Sequence, residues 1–182
     1  MPERANDHEK LKKLFDEARD GSVTAQDEIY KYFYSPLYRY FFMRTQNDDE
    51  AVDLTQTSFV KFYANLTKIT QTISLPSFIF TIARNTLIDY WRKRGTRNTI
   101  ASDEVVMIES ENQAEDKKEL GLEFKDMIEK LSEEQKEALT LRYVEDLPAK
   151  DISEIMGKSE EAVRQLLSRG IKALRENIKD YE

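Results

Sequence analysis

The sequence contains no cysteine and one histidine, His8, among its 182 residues. Disulfide bonds, thiol catalysis, zinc sites built on Cys or His clusters and Ser-His-Asp triads all need residues that this chain lacks. Carboxylates are the catalytic groups that remain, and the 35 Asp and Glu residues are scattered as on a solvated surface. We therefore expect a protein that is not an enzyme, with no catalytic residue, no metal site and no cofactor.

Glycine, proline and long apolar runs are also scarce. With five glycines, four prolines, 40% apolar residues and 35% charged residues, the composition is typical of a soluble, mostly helical protein. The N-terminal segment PERANDHEKLKKL lacks the apolar core of a signal peptide, and no run reaches the roughly 18 apolar residues of a membrane-spanning helix. We expect a cytoplasmic protein without membrane insertion.

Charge is distributed unevenly in this chain, whose net charge is −7. Residues 76–97 contain five basic residues and one acidic residue, and residues 162–179 contain the same numbers. Residues 98–119, which lie between these patches, contain seven acidic and two basic residues. The net charge excludes a uniformly phosphate-binding surface, but each basic patch is suited to local contact with nucleic acid.

Composition divides the chain into two domains. Sixteen of the nineteen aromatic residues lie at or before Trp91. The segment TRNTIASDEVVMIESENQAEDKK that follows is polar and acidic and has no clear helical period, which is typical of a linker. We predict an all-α fold with an N-terminal helical bundle over 1–96, a flexible acidic linker over 97–117 and a C-terminal helix-turn-helix domain over 118–182.

Hydrophobic periodicity predicts four helices in the first domain. The first helix should end at Gly21, and the second should begin at Thr24 and be broken or kinked by Pro36. The acidic cluster at 47–50 should cap a third helix that runs to about Leu66.

The fourth helix should follow a short β-branched segment, 67–75, which we interpret as an ordered loop. It should have Pro76 in its first turn, run to Arg94 and end at Gly95. Its apolar residues are assigned to the core: Phe78, Ile79, Ile82, Leu87 and Ile88.

Two of these helices have polar faces that suit binding. The third helix carries Asp53, Gln56, Thr57 and Lys61 on one side. The fourth helix carries a mixed basic, amide and aromatic face: Arg84, Asn85, Asp89, Tyr90, Trp91, Arg92 and Lys93. Such a mixture suits single-stranded nucleic acid, because unstacked bases need flat partners and phosphates need positive charge. A plain solvated face on the third helix, and closure of the core by Tyr90 and Trp91, are the alternative interpretations.

The C-terminal segment contains a helix-turn-helix pattern. Helices are predicted over 117–130 and 133–145, the second behind a capping box, and a tight helix pair follows. Pro148 opens the first helix of the pair, and Gly157 ends it where the chain turns with a positive φ. Ser159 caps the second helix, which would enter the major groove of DNA.

The final helix has two distinct faces. Its predicted buried stripe consists of Val163, Leu166, Leu167, Gly170, Ile171 and Leu174. Its predicted DNA-binding residues, with the cap included, are Ser159, Arg164, Gln165, Ser168, Arg169 and Lys172. These residue types read base edges and hold phosphates. The alternative interpretation is an ordinary helical hairpin with a solvated basic face.

Three motifs together resemble the small extracytoplasmic-function (ECF) sigma factors of bacteria. They are DLTQTSF at 53–59, SFIFTIARNTLIDYWRKR at 77–94 and the tail LSEEQKEALTLRYVEDLPAKDISEIMGKSEEAVRQLLSRGIKALRE. The resemblance covers about residues 25–178, and the order and spacing of the three motifs make it specific. It implies a two-domain initiation subunit of RNA polymerase, with the family's region 2 in the first domain and region 4 in the second.

The resemblance also implies a role for each surface. The face with Asp53 and Gln56 corresponds to the part that docks on the clamp coiled coil of the largest polymerase subunit. The loop at 70–77 and the helix with Arg84, Asn85 and Asp89 correspond to the −10 reader, which captures a flipped base of the non-template strand. The helix-turn-helix corresponds to the −35 reader, and the acidic linker to the segment that threads the RNA path. The expected partners are core RNA polymerase, through the clamp coiled coil and the flap, promoter DNA and an anti-sigma factor.

Four residues depart from the family pattern. Thr57 stands where an acid is usual and Phe78 where tryptophan is common, while Leu166 and Ile171 occupy positions that are commonly arginine. The −35 contacts therefore shift to the remaining basic residues of the final helix. A stand-alone helix-turn-helix regulator with an N-terminal helical sensing or dimerisation domain is the alternative function. It shares the C-terminal evidence but does not explain the faces at 53–59 and 77–94.

Overall fold

The computed structural model describes residues 2–68, 74–97 and 131–179. All regular structure in these ranges is helical, which confirms the all-α prediction. The described residues form two compact units, one from the first two ranges and one from the third. None of the helices in these ranges combines the length and the apolar character that crossing a membrane requires. The proposed linker at 97–117 and the predicted helix at 117–130 lie almost entirely outside the described residues.

The first unit consists of four helices joined by short connections. Ser22 caps the second helix by accepting a hydrogen bond from the Ala25 N–H at 3.3 Å, so this helix begins slightly before the predicted start at Thr24. Asn47 caps the third helix by accepting from the Glu50 N–H at 3.0 Å, which confirms the predicted acidic start. The helices are α1 Pro2–Arg19, α2 Val23–Thr45, α3 Asp48–Asn65 and α4 Leu75–Arg97, with a 3₁₀ turn Leu66–Lys68 after α3.

Of the break or kink predicted at Pro36, the break is absent, and the helix end predicted at Gly95 is wrong. Helix α2 runs without a break through Pro36, because Phe33 and Leu37 on either side of it are buried and hold both halves of the helix on the same core. This packing outweighs the backbone hydrogen bond that proline cannot donate. Helix α4 likewise continues through Gly95 to Arg97, because glycine lowers helix propensity without forbidding the helix.

Aromatic contacts fill the core of the first unit. The Phe15 ring lies 6.5 Å from that of Phe62 and 6.1 Å from that of Phe78, so α1, α3 and α4 meet at one cluster. The Tyr40 and Phe80 rings meet edge to face at 5.7 Å and join α2 to α4. Ile88, which the sequence assigns to this core, is 37% exposed, because its side chain projects from a different face of α4 than that of the buried Leu87.

The second unit begins with the predicted capping box. The Ser132 hydroxyl accepts from the Gln135 N–H at 3.2 Å, and the Gln135 side chain accepts from the Ser132 N–H at 2.9 Å. The predicted helix 133–145 is α-helical only as far as Leu139 and then widens into a π-helical turn. The elements are α5 Glu133–Leu139, the π turn Thr140–Val144, α6 Ala149–Met156 and α7 Glu160–Lys179.

The turn between α6 and α7 has the predicted geometry. Gly157 has φ +63° and ends α6 in the left-handed conformation, which glycine adopts at little cost. The Ser159 hydroxyl accepts a hydrogen bond from the Ala162 N–H at 3.1 Å and so caps α7. Ile152 and Val163 are fully buried between the two helices. The helix-turn-helix pattern is therefore formed as predicted.

Candidate functional site

The outer face of α3 brings the predicted docking residues together. Asp53, Gln56 and Thr57 are exposed and Lys61 is half-buried, and all four line one shallow surface depression. Their helix packs inward through the opposite face, where Ala51, Leu54, Ser58 and Phe62 are buried.

Val60 completes this surface, and the sequence interpretation missed it. It lines the same depression and is 69% exposed, although it is apolar. An apolar residue four positions after Gln56 on an otherwise polar face is a pattern that could have identified it. We call Asp53, Gln56, Thr57 and Val60 the α3 surface, and Lys61 lines the same depression at its border with α4.

The predicted single-strand reader occupies the exposed side of α4. Trp91 is 41% exposed, so it does not close the core, whereas Tyr90 is half-buried. Asn85, Arg92 and Lys93 are exposed, and Arg84 and Asp89 are half-buried. The Tyr90 and Trp91 rings lie 5.0 Å apart at a steep angle. The helix thus presents one flat ring, one amide and several cations along a single element.

A charge network joins the α3 surface to α4. The Lys61 ammonium donates to the Thr86 hydroxyl at 3.1 Å and lies 3.5 Å from Asp89 Oδ2. The other oxygen of the Asp89 carboxylate, Oδ1, accepts from the Arg92 guanidinium at 3.2 Å. Residues that the sequence assigned to two separate functions therefore contact each other.

A second network joins the first turn of α3 to the last turns of α4. The Arg94 guanidinium lies 2.6 Å from Glu50 Oε1 and also donates to the Tyr90 hydroxyl. Burial raises the pKa of Tyr90, and its hydrogen bond to Glu50 raises that pKa further. The hydrogen bond with Tyr90 and the charge of Glu50 raise the pKa of Arg94. Arg94, like Arg92, is therefore a cation of the 76–97 patch that is engaged within the protein.

The exposed face of α7 contains the predicted duplex-reading residues. Gln165, Ser168 and Arg169 are exposed, and Arg169 has no ion-pair partner among the described residues. Arg164 pairs with Glu160 at 2.7 Å and Lys172 lies 3.7 Å from Glu176, so both cations are shared with acids of their own helix.

The opposite face of α7 packs only in part as predicted. Val163 and Gly170 are buried, whereas Leu166, Leu167, Ile171 and Leu174 are half-buried. A β-carbon at Gly170 would lie 2.9 Å from Leu139 Cδ1, so the absence of a side chain there allows the close crossing of α5 and α7.

Within the described ranges, no three His, Asp or Glu side chains are grouped as metal ligands.

Two family models match this chain. The model described as Sigma-70 region 2 matches residues 29–97, and the model described as Sigma-70, region 4 matches residues 121–174. These ranges contain all the surfaces described above.

Among curated relatives, the ECF RNA polymerase sigma factor SigM of Bacillus subtilis (strain 168) is 31% identical over 153 residues. The match covers 82% of this chain and 92% of SigM.

Solved structures share the fold. CnrH, solved in complex with the cytosolic domain of CnrY, has a TM-score of 0.74 at 16% identity, over 94% of this chain and 99% of that one. The sigma factor RpoE from Bartonella quintana, solved with the anti-sigma factor NepR, has a TM-score of 0.70 at 23% identity. That match covers 86% of this chain and 98% of the RpoE chain.

Proposed function

The chain belongs to the ECF RNA polymerase sigma factors, and we propose which of its surfaces makes each contact in promoter-specific transcription initiation. The α3 surface docks on the clamp coiled coil of the polymerase, α4 reads the −10 element, and α7 reads the −35 element. The protein supplies sequence choice without catalysis or a cofactor, and the polymerase supplies the chemistry. We place this activity in the cytoplasm, where the polymerase is.

The observation that carries the docking proposal is the composition of the α3 surface. It combines an exposed apolar side chain, Val60, with the carboxylate of Asp53 and the amide of Gln56 around one depression. Protein interfaces are typically built in this way, with an apolar centre and polar groups that fix orientation. Thr57 supplies no charge where the family usually has an acid, so Asp53 provides the acidic contact of this surface.

The exposed side of α4 supports recognition of a single strand. Trp91 offers a ring on which an unpaired base can stack, and Asn85 offers an amide for a base edge. Arg84, Arg92 and Lys93 supply charge for the phosphates between bases. A base that is already unpaired costs little to capture, which favours action on the opened non-template strand.

The exposed side of α7 supports recognition of a duplex. Gln165, Ser168 and Arg169 face solvent together with Arg164 and Lys172, and these residue types contact base edges and phosphates in the major groove. Leu166 and Ile171 are half-buried and uncharged, so anchoring depends on the three cations. Ser159 caps the helix at the end that enters the groove.

The acidic net charge indicates that promoter binding depends on the polymerase. A net charge of −7 opposes binding of the isolated chain to DNA, and two small cationic surfaces make few phosphate contacts. We propose a region 2 domain over 1–96, an acidic linker over 97–117 that threads the RNA path and a region 4 domain over 118–182, which also contacts the flap. Two weak readers held on one enzyme then bind far more tightly than either alone.

The fold also supports control by a protein inhibitor. RpoE from Bartonella quintana, which shares this fold, was solved in complex with the anti-sigma factor NepR. We propose that an anti-sigma factor likewise holds this chain inactive by covering surfaces that the polymerase uses.

Binding to core polymerase tests the docking surface. Val60→Asp should weaken binding by at least about tenfold, because it places a charge at the centre of the interface. Asp53→Ala and Gln56→Ala should also weaken binding while leaving the melting temperature almost unchanged, because both side chains are exposed. The matched control is Val23→Asp, since Val23 is 76% exposed on α2 and lies outside the α3 surface.

Runoff transcription with core polymerase then tests the function itself. The wild-type chain and Val23→Asp should direct promoter-specific transcripts, and Val60→Asp should not. Unchanged core affinity for all three α3 variants would reject the docking surface. Tight sequence-specific binding by the isolated chain, with no effect on the polymerase, would instead identify a stand-alone regulator.

A further inference from the structure

Lys61 lies at the junction of two surfaces with different proposed functions. It lines the depression of the α3 surface, yet its ammonium group contacts α4, at 3.1 Å from the Thr86 hydroxyl and 3.5 Å from Asp89 Oδ2. Thr86 is only 3% exposed, so this hydrogen bond fixes Lys61 to the packed part of α4.

The charge of Asp89 explains why this contact matters for DNA. Asp89 is the acidic group among the predicted −10 residues, and an uncompensated carboxylate there would repel phosphates. Lys61 and Arg92 approach its two oxygens from different helices. Arg92 lies on the same helix as Asp89, so their pairing does not depend on α3. Lys61 lies on α3, so its contact with Asp89 depends on the position of α3 relative to α4.

We propose that Lys61 is a positioning residue for the −10 reader rather than a polymerase contact. Its ammonium holds Thr86 and Asp89, sets α4 relative to α3 and offsets the carboxylate on the DNA-reading face. Docking of the polymerase on α3 and reading of the opened strand by α4 are thereby coupled through one side chain. This inference rests on the proposed function of the two surfaces.

Two measurements on the full-length chain separate the possible roles of Lys61. The first is the affinity for core polymerase, and the second is the rate of promoter opening by saturated holoenzyme, followed with a fluorescent base in the −10 element. Lys61→Met keeps the aliphatic stem and removes the charge, whereas Lys61→Arg keeps the charge and the hydrogen-bond donors. Lys12→Met is the matched control, because Lys12 is exposed on α1 and its replacement removes the same charge.

Lys61→Met should leave core affinity unchanged and slow promoter opening by roughly twofold to fivefold, the range expected from loss of one partly exposed charge pair. Lys61→Arg should restore most of the rate, and Lys12→Met should have no effect. Thr86→Val should also slow opening, and the double variant with Lys61→Met should be no slower than Lys61→Met alone, because both changes break the same contact.

Other outcomes overturn the inference. If Lys61→Met weakens core binding and leaves the opening rate of saturated holoenzyme unchanged, Lys61 is a docking contact. If the effects of Lys61→Met and Thr86→Val simply multiply, Lys61 does not act through Thr86. Asp53→Ala tests the docking proposal separately. If the α3 surface does not bind the polymerase, Asp53→Ala leaves core affinity unchanged, whatever the Lys61 variants do.

Discussion

The Arg94 guanidinium lies 2.6 Å from Glu50 Oε1, although the two residues are 44 positions apart in the chain. This ion pair joins the last turns of α4 to the first turn of α3, and Arg94 also donates to the Tyr90 hydroxyl beside the exposed Trp91. Arg94 therefore orients the aromatic part of the proposed −10 reader and is engaged within the protein. The neighbouring Lys93 is exposed and has no ion-pair partner among the described residues.

Lys93 and Arg94 should differ in their contribution to DNA binding. Lys93→Ala should lower the slope of log affinity against log salt by roughly 0.7 to 0.9, the value of one phosphate contact. Arg94→Ala should leave that slope unchanged. The measurement is binding of holoenzyme to a fluorescent promoter fork at several salt concentrations. Equal slope changes for both variants would show that Arg94 leaves Glu50 to bind phosphate.

On α7 the structure predicts unequal roles for two arginines. Arg164 shares its charge with Glu160 at 2.7 Å, whereas Arg169 has no such partner among the described residues. Arg169→Ala should therefore reduce transcription from promoters with an intact −35 element more strongly than Arg164→Ala does. Runoff transcription on matched templates with and without that element measures the difference. An equal loss from Arg169→Ala on both templates would argue against a −35 contact.

Gly170 and Gly95 should respond in opposite ways to added side chains. Gly95→Ala should raise the free energy of unfolding by about 0.5–1 kcal/mol, because no atom lies within 4 Å of the new β-carbon and alanine favours the helix. Gly170→Val should lower it by about 1–3 kcal/mol, because its β-carbon would meet Leu139 in a packed crossing.

Urea unfolding followed by circular dichroism checks these two glycine variants, and amide hydrogen exchange locates the effect. Exchange should rise in α5 and α7 for Gly170→Val and nowhere in the first unit. A Gly170→Val chain as stable as wild type would show that Leu139 moves aside without cost.

Tyr63 should be among the last tyrosines to ionise. Burial raises the pKa of its hydroxyl to about 12, with smaller contributions from Asp27 and Tyr30. The hydroxyl also donates to the Gln26 carbonyl at 2.9 Å. Since an unfolded tyrosine ionises near pH 10, the unfolded chain loses this proton first. The stability that Tyr63 contributes is therefore complete below pH 10 and is lost as the pH rises towards 12.

Tyr63→Phe provides the measurement for this pH dependence. In a spectrophotometric titration of the native chain, the variant should show a smaller absorbance change near pH 12 and retain that near pH 10. Its stability should also fall less steeply than that of wild type over this interval. Loss of signal centred near pH 10 in the variant would contradict the assignment of the raised pKa to Tyr63.

The sequence predicted the described helix starts and the polar faces of α3 and α7 well because both are local properties. Ser132 and Gln135, only three positions apart, form the capping box, and Gly157 turns the chain with the positive φ that its place after α6 requires. Packing decides at Pro36, where the helix does not break because the neighbours Phe33 and Leu37 are held by the core. The missed Val60 is a different case, because its helical spacing from Gln56 on a polar face could have identified it.

The sequence by itself determined the two basic patches, the acidic segment between them and the faces on which each helix carries its polar residues. These properties follow from composition and helical spacing within a few turns. Only the tertiary structure decided which of those charges are engaged. The contacts of Lys61 with Thr86 and Asp89, and that of Glu50 with Arg94, join residues 25, 28 and 44 positions apart. No helical period predicts such pairs, because they depend on how α3 packs against α4.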